Sequence, residues 1–316
     1  MKPMFPFAIG SITLYAYQVL LAASIALCFW LFVRRARQEG LPGRAVGAFA
    51  PLGVFLGFFM GHLGYCLMRF QYALYDRPAG YFFQFWAGDY MLYGAMAGCA
   101  LAVWLSARLT RCEPLKLLDA LAPAGALMIA LARVAQGLSG QGYGRDLEEG
   151  SWFCRFPFAI YDPYYEVWYW AVFLLAALWA LAIFGLLCKA RQGKPGDRAL
   201  LLCGLYAAGQ ILLESLRQDS VLRWGFVRCS EVLSAVLLCF VLLCYFHRSK
   251  GRARAGRLAC LGVAALMIAL CLLLEFAMEQ RISFLRFLDV GGCYGCMAIA
   301  CAVLAGCVGY LRSKAD

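Results

Sequence analysis

Residues 12–37 read ITLYAYQVLLAASIALCFWLFVRRAR. No charge falls between Ile12 and Val33, and then Arg34, Arg35 and Arg37 arrive together. About 20 apolar residues are what a helix needs to cross roughly 30 Å of hydrocarbon. A basic cluster directly after such a run holds that end at the cytoplasmic face. The stretch therefore predicts a helix through a bilayer, running from outside to inside. Met1 to Gly10 carries one lysine and no cleavage site behind a short apolar core, so the first span is expected to stay.

Working outward, the same pattern recurs. Apolar runs lie at roughly 12–33, 46–68, 89–109, 117–136, 164–188, 198–216, 230–246, 257–278 and 289–311. Helix is the expected state of each, because lipid offers no partner to an open strand edge. Only 15% of the residues are charged and 64% are hydrophobic. A soluble domain carries about 25% charged residues, so no water-facing surface can be built from this chain. The predicted class is an all-α polytopic membrane protein with about nine spans.

Orientation follows from the loops. Arg34, Arg35, Arg37 and Arg44 follow the first run, and Arg108, Arg111 and Lys116 follow the third. Lys189, Arg191, Lys194 and Arg198 follow the fifth, and Arg248, Lys250, Arg252, Arg254 and Arg257 the seventh. Arg312 and Lys314 close the chain. These basic exits predict an outside amino terminus and a cytoplasmic carboxyl terminus. Segments 69–88, 137–163, 217–229 and 279–288 are then the outer loops. The net charge of +11 is spent on this asymmetry, so it gives no nucleic-acid footprint.

Most of the sixteen cysteines lie inside apolar runs, where Cys behaves as a small hydrophobe. Cys293 and Cys296 form a C-x-x-C with no second pair or nearby histidine, so no metal site and no cofactor is expected. Gly291, Gly292 and Gly295 offer room for close helix approach in the last span.

Ionisable groups at membrane depth default to a functional reading. Arg133 sits at the outer end of the fourth run and Glu166 opens the fifth. Glu214 and Arg217 share a helical face in and just beyond the sixth. Snorkelling, or a purely structural Glu214–Arg217 pair, is the alternative. Asp119 starts the fourth run, where a carboxylate suits a helix amino terminus. His62 is expected to be a hydrogen-bonded packing residue. The outer segment from Gln136 to Asp162 is rich in glycine (Gly137, Gly140, Gly142, Gly144, Gly150), which signals close backbone approach. No repeat of matched broken spans appears, which weighs against a transporter.

These residues resemble the prolipoprotein diacylglyceryl transferases. The family hallmark is Gly-Arg-x-Gly/Ala-Asn-Phe-x-Asn-x-Glu-x-x-Gly. The matching stretch here runs from Ala132 through Arg133, Gln136, Ser139 and Gln141 to Gly144. Leu118-Asp119-Ala120-Leu121-Ala122-Pro123 is similar to the family's lead-in, and Ile9-Gly10-Ser11-Ile12-Thr13 with Tyr17 to its first span. Tyr165-Glu166 and Glu214-x-x-Arg217 match two further motifs. Where the family begins its third span with histidine, this chain has Tyr93. Where it has a second arginine, four residues after Tyr206, this chain has Gln210. The likeness covers roughly residues 8–246, giving a seven-span core over 1–246 and a two-span extension over 247–316.

The resemblance implies transfer of diacylglycerol from phosphatidylglycerol to a cysteine thiol of exported prolipoproteins, releasing glycerol phosphate. Partners would be phosphatidylglycerol, prolipoprotein signal peptides and membrane lipids, in a bacterial plasma membrane. Arg133, Tyr93 and Glu214 are then the expected catalytic residues. Tyr17, Gln136, Gln141, Gly144, Arg145, Glu166, Tyr206, Gln210 and Arg217 would bind substrate. An arginine suits this chemistry because its fork pairs with phosphate oxygens and stays charged where water is scarce.

Overall fold

The computed structural model describes residues 6–9, 12–86, 88–163, 165–190, 193–219, 222–224, 227–249, 254–279 and 289–315. Gly10, Ser11, Arg191, Lys250, Arg252 and the loop 280–288 lie outside them. In chain order the elements are β1 (Pro6–Ile9), β2 (Ile12–Tyr15), α1 (Ala16–Gln38), α2 (Gly43–Met68), α3 (Phe70–Tyr75) and α4 (Leu92–Thr110). Then come α5 (Pro114–Leu138), β3 (Asp146–Leu147), β4 (Ala159–Asp162), β5 (Val167–Trp170), α6 (Val172–Lys189) and α7 (Asp197–Leu216). The chain closes with β6 (Arg223–Trp224), β7 (Val227–Arg228), α8 (Cys229–Arg248), α9 (Arg254–Met278) and α10 (Val290–Ala315). Among the described residues, nine helices are long and apolar enough to span a membrane, every one but α3. The chain is an all-α polytopic membrane protein.

Two of the expected runs open as strands rather than as helix. Ile12–Tyr15 pair with β1 as a hairpin, so the first helix starts at Ala16. Val167–Trp170 pair with β4 and β3 in a three-stranded sheet, and the helix starts at Val172. A Val-Trp-Tyr-Trp run satisfies hydropathy and β preference equally, and available strand partners decide between them. Glu166 consequently does not open a span. It stands in the β4–β5 turn with φ of 55°, six residues before α6. The fourth run, interrupted on paper by Pro123, is one continuous helix from Pro114 to Leu138.

The described residues divide into two compact units, one of residues 25–125 and 195–199, the other of the remainder. In the first, α2 and α4 meet backbone to backbone. A methyl on Gly94 would lie 2.3 Å from the Met60 carbonyl oxygen, and one on Gly98 would lie 2.2 Å from that of Leu56. Only glycine admits such an approach. His62 is fully buried on the same helix, its Nδ1 3.0 Å from the Asp89 carbonyl oxygen and its Nε2 2.8 Å from that of Tyr81. This is the packing role expected of it.

Asp119 serves a helix amino terminus, but not its own. Its carboxylate accepts from the Gly196 and Ala199 amides at 2.6 and 3.1 Å, at the start of α7. Those amides have no partner inside α7, and an anion there also opposes the positive end of the helix dipole.

The second unit carries the carboxyl-terminal part of α5 and all of α6, α8, α9 and α10, with most of α7. Gly295, expected to favour close helix approach, faces open space in α10. Other groups on the last two helices reach into the unit, as described below.

Candidate functional site

The site begins where α5 ends. Leu138 is its last residue, and Gly140 follows with φ of +80°. The Gly140 amide donates to the Gly137 carbonyl at 3.0 Å, and the Gln141 amide to that of Gln136 at 3.1 Å. This crossed pair is the glycine-terminated helix end that a left-handed residue makes possible. It turns the chain sharply, so that Gln136 and the loop 140–144 stand beside the last turn of α5, where Arg133 projects.

Arg133 is held by three neutral oxygens. Its Nη1 donates to Gln136 Oε1 at 2.9 Å, and its Nη2 to the Tyr206 hydroxyl at 2.8 Å and to Gln210 Oε1 at 3.2 Å. These partners fix the guanidinium plane, which is what presenting a planar fork to an incoming anion requires. Tyr206 and Gln210 are both buried on α7, one helical turn apart.

From Gln210 the network continues. Its amide donates to Glu214 Oε2 at 3.0 Å, and Arg217 Nη1 lies 3.4 Å from that same oxygen. Arg217 Nε donates to Asp219 Oδ1 at 3.1 Å, while Asp219 Oδ2 accepts the Gly142 amide at 2.5 Å. Polar contacts thus run from Arg133 through Gln210, Glu214, Arg217 and Asp219 back to the glycine loop. Gln210 does something an arginine at its position does not, since it accepts on one side and donates on the other.

Gly144 is where the loop meets α7. It forms a β-bridge with Arg217, and its amide donates to the Trp170 carbonyl at 2.8 Å. A methyl there would lie 2.7 Å from Trp170 Cβ and 2.8 Å from the Leu216 carbonyl oxygen. Next to it Tyr143 is buried against Phe173 and donates its hydroxyl to the Gly137 carbonyl at 3.3 Å. Burial pushes this phenol above its ordinary range, with Asp162 and Asp219 acting in the same direction.

The remaining sequence-predicted residues are more dispersed. Arg145 is half-buried beside this loop, its carbonyl accepting the Trp170 amide at 3.1 Å. Tyr17 opens α1, stacked on Tyr15 with ring centroids 6.0 Å apart. Gln141 and Glu166 are exposed. Tyr93 belongs to the other unit, in the first turn of α4 beside the tightly packed Gly94. Sequence reasoning missed Asp219, although a carboxylate two residues after Arg217 was a visible signal. Among the described residues no three His, Cys, Asp or Glu side chains gather as a metal would need.

What the arrangement can do is bind an anion. Two arginines flank a buried carboxylate and a glutamine, and glycine-lined backbone stands alongside. The family described as prolipoprotein diacylglyceryl transferase matches residues 4–247. A protein of Symbiobacterium thermophilum, named phosphatidylglycerol–prolipoprotein diacylglyceryl transferase, is 30% identical over 255 residues, spanning 76% of this chain and 91% of its own. Proteins of the same name from Geobacillus kaustophilus and Thermosynechococcus vestitus are 26% and 25% identical, over 78% and 73% of this chain and 93% and 87% of their own.

Proposed function

We propose, on the premise that this chain belongs to the prolipoprotein diacylglyceryl transferase family, that it moves diacylglycerol from phosphatidylglycerol to the lipobox cysteine of exported prolipoproteins. The acceptor sulfur attacks the glycerol carbon that carries the phosphate. The carbon–oxygen bond breaks, and glycerol phosphate leaves with the electron pair while the thiol gives up its proton. The nucleophile belongs to the substrate, so the enzyme needs no catalytic cysteine.

The observation that carries this reading is the grip on Arg133 by Gln136, Tyr206 and Gln210. A guanidinium fixed before substrate arrives stabilises charge developing on the departing phosphate without reorganising. Arg217, anchored between Glu214 and Asp219, positions the glycine loop beside Arg133, since Asp219 also accepts the Gly142 amide. Glu214 orients Gln210 and Arg217, and Tyr93, at the position where the family has histidine, is a hydrogen-bonding group of its own unit. Tyr17, Gln136, Gln141, Gly144, Arg145, Glu166, Tyr206, Gln210 and Arg217 bind the two substrates.

The reaction lies at the outer face of a bacterial plasma membrane, with the amino terminus outside and the carboxyl terminus in the cytoplasm, as the alternation of basic loops supports. Residues 1–246 form the transferase core and 247–316 the extension.

The test is glycerol phosphate release by the purified protein from phosphatidylglycerol and a lipobox peptide. Release that requires the peptide and is lost in Arg133→Ala supports the transferase. Neutral Gln210 favours a second reading, a family member that binds lipid or exported peptide without turnover. Tight phosphatidylglycerol binding with no release would select it.

A further inference from the structure

The family match ends at residue 247, yet both helices beyond it reach the end of α7. A helix leaves its last carbonyls without partners inside itself. Here two of those carbonyls, and one side chain between them, are taken up from elsewhere. The Glu214 carbonyl accepts from the Arg217 amide at 3.1 Å and from Arg228 Nη1. The Ser215 carbonyl accepts from the Tyr294 hydroxyl of α10 at 3.3 Å. The Ser215 hydroxyl donates to Glu275 Oε2 of α9 at 2.5 Å. The other Glu275 oxygen lies 3.6 Å from Arg228 Nε.

Glu275 therefore touches this segment twice. One oxygen holds Ser215, and the other faces the guanidinium that holds the Glu214 carbonyl. Glu275, Arg228 and Ser215 are all buried. A hairpin that only added lipid-facing surface would have no use for a buried carboxylate, which is costly at this depth unless it answers a specific partner. Arg228 also places a cation against the negative end of α7, where the dipole favours it.

We infer that α9 and α10 are part of the working site and that Glu275 is its positioning residue. It fixes the main chain at Glu214 and Ser215, and through it sets where the Glu214 carboxylate and the Arg217 guanidinium stand. The inference rests on reading Glu214 and Arg217 as site residues.

The experiment compares the full-length protein with Glu275→Ala, Glu275→Gln and Tyr294→Phe. It measures kcat and KM for phosphatidylglycerol, the thermal midpoint, and hydrogen exchange over 214–219. Misplacing a group by even an ångström can cost far more than binding does, so Glu275→Ala is expected to lose kcat by about tenfold or more with KM within about threefold. Exchange over 214–219 should quicken. Glu275→Gln, whose amide oxygen still accepts from Ser215 but whose other end no longer offers Arg228 an acceptor, should keep more kcat than Glu275→Ala. A folded Glu275→Ala protein with wild-type kcat and unchanged exchange overturns the inference. If Glu275→Ala does not fold, Tyr294→Phe carries the comparison, since it leaves no buried charge, and wild-type exchange there overturns the inference too. If wild type itself releases no glycerol phosphate, the transferase reading fails. The inference is then judged by exchange alone, supported by faster exchange confined to 214–219 and overturned by none.

Discussion

The α2–α4 pair and the end of α7 solve the same problem by opposite means. Both bring helices together where water gives no help. Between α2 and α4 the contact is made by removal: Gly94 and Gly98 have no side chain, and the backbones touch. Around the end of α7 it is made by addition, with Gln210, Glu214, Arg217, Arg228 and Glu275 meeting through charge and hydrogen bonds. The first arrangement tolerates no added atom. The second tolerates no lost partner. Closeness without polarity gives a scaffold, whereas polarity held in fixed geometry gives a place where an anion can be bound.

The largest effect that would break this contrast is expected at Arg133. Arg133→Ala should lower kcat/KM for glycerol phosphate release at least about 100-fold, roughly 3 kcal/mol, while the thermal midpoint in detergent stays near wild type. A large loss of stability instead would make Arg133 a scaffold residue and erase the distinction. On the other side, Gly98→Ala should destabilise by about 1–3 kcal/mol, read as a lower melting midpoint, because the new methyl presses on the Leu56 carbonyl and on Met60 Cβ. An unchanged midpoint would mean that the α2–α4 contact can relax. Tyr206→Phe sharpens the comparison by removing one hydroxyl from the Arg133 grip. The expected cost is about 1.5 kcal/mol, near tenfold in kcat/KM, with little change in melting. Smallest of all, Gln141→Ala should lower kcat/KM by about threefold, the worth of one hydrogen bond from an exposed side chain. No loss there would remove Gln141 from the substrate-binding set.

The scaffold was mostly legible in the sequence. Length, hydropathy and basic loops predict the nine helices, and they fail only where composition is ambiguous. Tyr15 and Trp168 suit a strand as well as a span, and the strands that decide, β1 and β4, lie just ahead of the apolar runs, outside the stretch that hydropathy reads. The site was legible where its spacing is local. Arg133 and Gln136 share one helical turn, as do Glu214 and Arg217. Contacts between distant segments were not. Asp119 reads as capping its own helix, whereas its amides come from residues 196 and 199. Glu275 lies in an apolar run with nothing nearby to suggest a partner. Hydropathy reports that a charge is out of place but not which distant group receives it.

Membrane chains are made and inserted from the amino terminus onward, and this gives the Ser215–Glu275 contact a meaning in time. The two residues are separated by 60 positions. While residues 249 to 275 are being delivered, a newborn chain carries all the family's own helices and not yet the carboxylate that completes them. Catalytic competence would then come last in biosynthesis, and a product cut short after residue 247 would hold Arg228 in the membrane without Glu275. Such a fragment would carry a buried guanidinium whose carboxylate had not yet arrived, so α9 is what closes the polar cluster at the end of α7.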